Sequence, residues 1–417
     1  MLGEIFCVLC QNLKGRIMSK PALFTKDFVL LTLANMFYTF GFFLMLPIIP
    51  IYVVFRGGTE PQVGMIAASF TIAAIIMRFI VPLLLTNLTK TNMLRIGLII
   101  SVVVTASCWF TVSIPSILLV RILQGIGFGA VSTICAALAA DLLPDSRRGE
   151  GIGYFGMGTT VMVAIAPAAG LFFVNNFDGS NGFGYAFLAA SAGQLVSLLL
   201  LSRFTPDPSL VNPKPKSDIK ESFISKVFDP SLTLQVILLV LFGIARSSEQ
   251  NYLPLLTLDH GLDIEKLSIY YIIQAMTSFV IKYFSGIIYD KRGHKWTVIP
   301  GGLSIIFSLY FLSVADSYLV LYTAAFFMGF GMGCLMPAMQ TWTITSVAAD
   351  KRSVASAAYY NFYDIGQSID AILIGNLVVT IGYSPSFKVA AIPMVLFIFI
   401  YLIGMGIQRS KQTEKSD

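Results

Sequence analysis

Charge is what this 417-residue sequence has least of: Asp, Glu, Lys and Arg fill 12% of positions, apolar residues fill 56%, and the mean hydropathy is +0.78. So few charges could not keep a soluble domain of this size dispersed, which excludes a water-soluble enzyme and leaves lipid as the solvent for most of the chain. Histidine is scarcer still, with His260 and His294 alone, so no histidine-built metal centre is expected. The five cysteines are odd in number: Cys108, Cys135 and Cys334 lie in apolar runs, and Cys7 with Cys10 forms a CxxC that lacks a second ligand pair. Neither a disulfide framework nor a metal site follows from them. A GxxxxGK[ST] phosphate loop, an HExxH helix and a nucleophile motif are all missing, so an enzyme is disfavoured, no cofactor is expected, and any energy source is a gradient. The run Ile5 to Cys10 is too brief for a signal-peptide core, and Met18 opens a credible alternative start, so residues 1–17 are expected to be a dispensable extension.

What is abundant is apolar sequence in stretches of span length. A bilayer core of about 30 Å takes roughly 20 residues of helix, and open sheet edges find no partner in hydrocarbon, so the expected fold is all-α. Apolar runs place twelve spans at 28–55, 63–86, 93–112, 115–141, 150–174, 184–202, 231–257, 265–290, 295–314, 317–346, 352–380 and 385–407. The polar stretch 203–230, with Pro206, Pro208, Pro213 and Pro215, reads as the linker between a bundle at 28–202 and another at 231–407. Tails at 1–27 and 408–417 complete the organisation. Arg56, Lys266 and Lys388 fall in loops or at span ends of one side, Arg78, Arg121, Arg246 and Lys282 fall within spans, and the other 21 of the 28 basic residues collect on the opposite side. That asymmetry places both termini in the cytoplasm. The net charge of +6 is then explained by anionic lipid headgroups, without a nucleic-acid partner.

The two bundles are copies of one unit. A shift of 204 residues lays Pro50 on Pro254, Arg78 on Lys282, Gly125, Gly127 and Gly129 on Gly329, Gly331 and Gly333, and Arg147–Arg148 on Lys351–Arg352. Four separate features in one register predict parallel six-helix repeats around a central cavity, which rock to expose a midplane site to alternate sides.

The segment GIIYDKRGHK after span 8, with Gly286, Asp290, Lys291, Gly293, His294 and Lys295, resembles the G-x-x-x-D-[RK]-x-G-[RK]-[RK] signature of the major facilitator superfamily. The copy after span 2, PLLLTNLTK, departs from it, with Pro82 for Gly and Thr86 for Asp. Span 4 reads LVRILQGIGFGA, similar to the family's second motif, carried by Arg121, Gly125, Gly127 and Gly129. Span 5 reads GYFGMGTTVMVAIAPAAG and resembles the motif of the drug:proton antiporter branch at Gly153, Pro167 and Gly170, while Met162, Ala166 and Leu171 stand where glycine is expected. The resemblance covers the chain from span 1 to span 12. It implies a monomeric secondary transporter of the bacterial plasma membrane that exports a small-molecule substrate against protons. It also implies that Gly286, Asp290, Lys291, Gly293 and Lys295 gate the cavity, that Pro167 and Gly170 let span 5 seal against span 8, and that Gly286 permits close helix contact. The basic cluster that includes His294 is expected to anchor to headgroups.

Ionisable groups within spans are costly and are functional candidates by default. Asp364 lies twelve residues into span 11, about 18 Å from its start at 1.5 Å per residue, and is the carboxylate nearest the midplane. Asp370, Glu249, Arg121 and Arg246 join it as candidates for proton coupling, although Arg246 and Glu249, three apart on one face, can equally neutralise each other. The matched depth of Arg78 and Lys282 favours pairing within the bundle or snorkelling. Asp141 is a partner for the basic loop after span 2. The mixed charges suit a zwitterionic or anionic, partly apolar metabolite as well as a lipophilic cation. Tyr38, Phe42, Met45, Tyr271, Met276, Tyr359, Tyr360 and Tyr363 recur on the spans expected to line the cavity and are candidates for it; most such residues are ordinary packing or face lipid, and about a third of them are expected to touch substrate. A nutrient importer or uniporter and a transport-inactive sensor stay open beside the exporter, as do antimicrobial compounds and secreted metabolites such as metallophores as its substrate.

Overall fold

The computed structural model describes residues 23–85, 87–144, 147–205, 229–348 and 351–413; the CxxC, the N-terminal tail to residue 22, Thr86, linker residues 206–228 and the last four residues lie outside them. Twelve helical spans follow one another: α1 (Lys26–Phe55), α2 (Glu60–Leu84), α3 (Lys90–Phe110), α4 (Ile114–Leu142), α5 (Gly151–Asn176), α6 (Ser180–Ser202), α7 (Pro230–Asp259), α8 (Ile264–Arg292), α9 (Lys295–Ser313), α10 (Tyr318–Thr345), α11 (Val354–Ile381) and α12 (Tyr383–Gly406). Two spans read as continuous from sequence are interrupted. The first breaks at Leu46 and Pro47 and the last at Ala391, each beside a proline, Pro47 and Pro393, whose missing N–H and fixed φ end one helical segment and begin the next.

The packing repeats as the sequence does. In the first half α2 packs on α4, α1 on α5 and α6, and α3 on α4 and α6; in the second α8 packs on α10, α7 on α11 and α12, and α9 on α10 and α12. The glycines set this geometry at matched positions. A Cβ on Gly125 or Gly129 would overlap the carbonyls of Phe70 and Ala74 on α2, and a Cβ on Gly329 or Gly333 would press on those of Gln274 and Ser278 on α8. These contacted residues are themselves 204 apart. Backbones approach this closely only where the side chain is a hydrogen.

Two seams join the halves, α2 against α11 and, in the symmetric position, α8 against α5. On the face away from the chain termini the halves are locked. A Cβ on Gly64 of α2 would overlap the Ala371 carbonyl of α11, Tyr252 Oη of α7 donates to the Glu60 carbonyl at 3.4 Å, and Tyr383 Oη donates to Glu60 Oε1 at 3.1 Å. On the terminal face they part. The last two turns of α8 are exposed nearly all round, with Tyr283 at 70% and Ser285 alone fully buried, and a Cβ on Gly153, Gly156 or Gly286 would meet nothing within 4 Å. The close contact expected at Gly286 is therefore absent in this conformation.

Packing and open space make opposite forecasts for the same substitution. Gly125→Ala and Gly329→Ala should each destabilise the protein by about 1–3 kcal/mol through overpacking. Gly153→Ala and Gly286→Ala should be neutral or stabilising by up to about 1 kcal/mol, since Ala favours helix. Apparent Tm followed by gel filtration after heating separates the pairs, and equal losses in all four would contradict this packing.

Candidate functional site

Between the halves lies a cavity of about 350 Å³ walled by α1, α2, α4 and α5 on one side and α7, α8, α10 and α11 on the other. Helical stripes spaced three or four apart face it: Ala67, Thr71 and Ala74 on α2, Ser247 and Asn251 on α7, Gln274, Ser278 and Lys282 on α8, and Asp364, Gln367 and Ala371 on α11. The first half supplies an apolar wall in which Phe42 stacks on Phe70 at 5.4 Å and on Phe128 at 4.4 Å. Met332 and Met336 of α10 add a deformable surface opposite.

Most charge on this wall is already paired. Asp364 forms an ion pair with Arg78 of the other half, and Gln367 Nε2 donates to its second oxygen at 3.0 Å. Glu249, fully buried at 0% exposure, is ion-paired with Arg246 one turn earlier and accepts from Gln274 Nε2 at 3.1 Å. Asp370, at 1% exposure, lies behind the wall, where Ser248 Oγ stands 2.7 and 2.9 Å from its two oxygens. Two cations remain without an acid among the described residues. Arg121 lies over the Phe70 ring at 4.3 Å and donates to Gln124 Oε1 at 3.0 Å, while its Nε is buried and unbonded. Lys282 lines the cavity and makes no hydrogen bond or ion pair with a described residue.

Of the eight aromatic and methionine candidates, Phe42 and Tyr363 line the cavity. Tyr38 and Met45 face a neighbouring recess of about 10 Å³, where Tyr38 meets Ser101 at 3.5 Å. Tyr271 is buried behind the wall, and Tyr359 donates to the Met336 carbonyl at 3.2 Å. Tyr360 is exposed and accepts from Gln340, and Met276 is 56% exposed on the face of α8 opposite Gln274 and Ser278. Residue type reports apolarity and not direction, so it does not separate the cavity-lining members of this set from the rest. The polar residues Gln250, Asn251, Gln274, Ser278 and Gln367 were missed, although their spacing along otherwise apolar spans is a legible signal.

The expected gating residues fall into place unevenly. Gly293, at φ +80°, ends α8 where other side chains would be strained, and its N–H bonds the Tyr289 carbonyl. Lys291 and Lys295 are exposed on the terminal face, as is Asp290, which makes no hydrogen bond or ion pair with a described residue. The side chain of Arg148, one of its expected partners, lies outside the described residues. His294 is no headgroup anchor: it stacks on Trp342 at 4.6 Å and bonds Tyr401 Oη at 2.7 Å, and burial lowers its pKa. Asp141 bonds Lys90 Nζ at 2.6 Å within the first half. Pro167 is buried, and a Cβ on Gly170 would overlap the Leu44 carbonyl of α1, so this part of α5 packs on its own half rather than on α8.

Known proteins resemble this chain. The chain is 23% identical over 363 residues to an uncharacterised MFS-type transporter of Methanocaldococcus jannaschii, covering 85% of this chain and 92% of that protein. It is 23% identical over 361 residues to the quinolone resistance protein NorA of Staphylococcus aureus, covering 82% and 88%. Among solved structures, the nucleoside transporter NupG superposes with a TM-score of 0.71 at 11% identity over 90% of this chain and 99% of that one. A bacterial homologue of the human lysosomal transporter Spinster, in an inward-facing and unoccupied conformation, gives 0.69 at 14% identity over 92% and 96%. The sequence profile of the Major Facilitator Superfamily matches residues 31–369 and 267–417. With twelve spans in two matched bundles around one cavity, the chain belongs to that superfamily and is a multi-pass membrane transporter.

Proposed function

We propose that this protein is a proton-coupled exporter of a small drug-like compound or secreted metabolite, a metallophore among the candidates, working as a monomer in a bacterial plasma membrane with both termini in the cytoplasm. The observation that carries the reading is the ion pair between Arg78 and Asp364, which ties one half to the other at the cavity wall. A proton delivered to Asp364 removes the charge that holds Arg78, so proton loading loosens the α2–α11 seam, and proton release restores it. In the conformation described, the pair is formed while the terminal face is open. That is the proton-free state an exchanger needs on the side where cargo loads. The likeness to NorA, named for quinolone resistance, supports outward transport.

Inside-out vesicles test the coupling directly, with ethidium as transported dye and an imposed pH gradient. Asp364→Asn should lower proton-driven uptake at least tenfold while sparing downhill exchange, and Arg78→Gln should uncouple in the same way. Wild-type accumulation in either variant would sink the assignment. Dye that moves with protons, or equally well without a gradient, would transfer the reading to an importer or uniporter.

Asp290 belongs to the other half of the cycle. When the terminal face closes, its carboxylate comes within reach of the basic approach to α5, Arg147 and Arg148, and latches that state. Asp290→Ala should therefore raise the labelling of a Gly286→Cys reporter by a membrane-impermeant maleimide under turnover, by about twofold or more, with dye binding retained. Unchanged labelling would refute the latch.

A further inference from the structure

The 204-residue shift that relates the halves also relates their seams: Arg78 of α2 maps to Lys282 of α8, and Thr160 of α5 maps to Asp364 of α11. The α2–α11 seam thus has a cation and an acid that pair. Its symmetric counterpart, α8–α5, has the cation and a threonine. Lys282 and Thr160 both line the cavity, and Lys282 makes no hydrogen bond or ion pair with a described residue. The acids near the wall are otherwise engaged: Asp364 with Arg78, Glu249 with Arg246, and Asp370 out of contact with the cavity. The Thr160 hydroxyl donates to its own helix at Gly156, at 3.1 Å, so it leaves the ammonium unneutralised. A second cation, Arg121, faces the same space from the first half, with its buried Nε unbonded.

We propose that the missing acid is supplied by the cargo: a carboxylate of an organic anion binds Lys282 beside Thr160, in the place that Asp364 occupies in the symmetric seam. The rest of the cargo lies against Phe42, Phe70 and Phe128, within reach of Arg121, so the favoured substrate is an anion or zwitterion with an apolar body. A cavity of about 350 Å³ suits a ligand of that size. An anion bridging this seam draws α5 toward α8 as the Arg78–Asp364 pair draws α2 toward α11, which makes cargo binding a cause of closure at the terminal face. This inference rests on the transporter reading but not on its direction or coupling ion.

The test uses the full-length protein in neutral-lipid nanodiscs and three probes with one fluorophore: dansyl-glutamate, its diamide, and dansyl-cadaverine. Dansyl-glutamate should bind saturably and at least tenfold more tightly than the neutral or cationic probe. Lys282→Gln should weaken it about tenfold or more, whereas Lys282→Arg should retain binding. Thr160→Asp, which installs the acid within the chain, should also abolish the preference. It should in addition protect a Gly286→Cys reporter from impermeant maleimide without any ligand, a readout independent of whether Lys282→Gln folds well. Absence of dansyl-glutamate binding, equal or tighter binding of dansyl-cadaverine, or indifference to both substitutions overturns the proposal. Proton-driven ethidium uptake that persists alongside such a result leaves the exporter reading standing. Anion binding as expected with no response to a pH gradient removes the coupling and keeps the site.

Discussion

A guanidinium and a carboxylate from opposite halves meet in the apolar interior of this protein, and the arrangement of the two bundles is organised around keeping them together. Each ion alone would cost several kcal/mol to hold out of water, a penalty that a close partner offsets and a lost partner restores. Arg78 and Asp364 are 286 residues apart in sequence, so the partner is present only when the bundles are docked. The pair thus makes docking at one seam depend on charge state, in a region where packing alone would favour one fixed contact.

Packing supplies the opposite quality, rigidity. Where Gly125 and Gly129 meet α2, and Gly329 and Gly333 meet α8, backbone touches backbone and nothing can slide without a clash. Each bundle is therefore stiff within itself and moves as a body. What can change are the seams between bundles, and there the contact differs by face. The face away from the termini is closed by Gly64, Tyr252 and Tyr383, whereas the last turns of α8 are bare.

The same contrast explains what could be read from sequence. Glycines that admit a neighbouring backbone leave a trace at fixed positions, and duplication prints that trace twice, so the shift of 204 alone predicts the paired bundles. Span number and approximate limits followed from hydropathy; the interruptions at Leu46–Pro47 and at Ala391 did not, because apolar composition continues through them. The site was harder. Met276 and Gln274 are two residues apart on one span, yet one is exposed on the outer face and the other bonds Glu249. Aromatic and methionine content points to the first, whereas the three- and four-residue spacing of polar groups points to the second. The partner of Arg78 was beyond sequence altogether, since nothing local in either bundle specifies which residue of the other it meets. The latch proposed for Asp290 depends on a contact absent from the open state.

Duplication followed by unequal change gives the two seams different duties. In the first, cation and acid are both built in, so the seam answers to whatever can neutralise Asp364, and a proton is the smallest species that can. In the second, Lys282 has kept the position of the cation while Thr160 stands where the acid would be. That seam is left with uncompensated positive charge facing the cavity, and within a low-dielectric interior its attraction for an anion is strong. A symmetric pair of built-in acids would let both seams close in the empty protein, which would cycle without cargo. In the cycle proposed here, a threonine in place of that acid makes closure at the seam conditional on something that enters from outside. In the exchanger we propose, the asymmetry at a single pair of equivalent positions separates the response to protons from the response to substrate, which exchange requires.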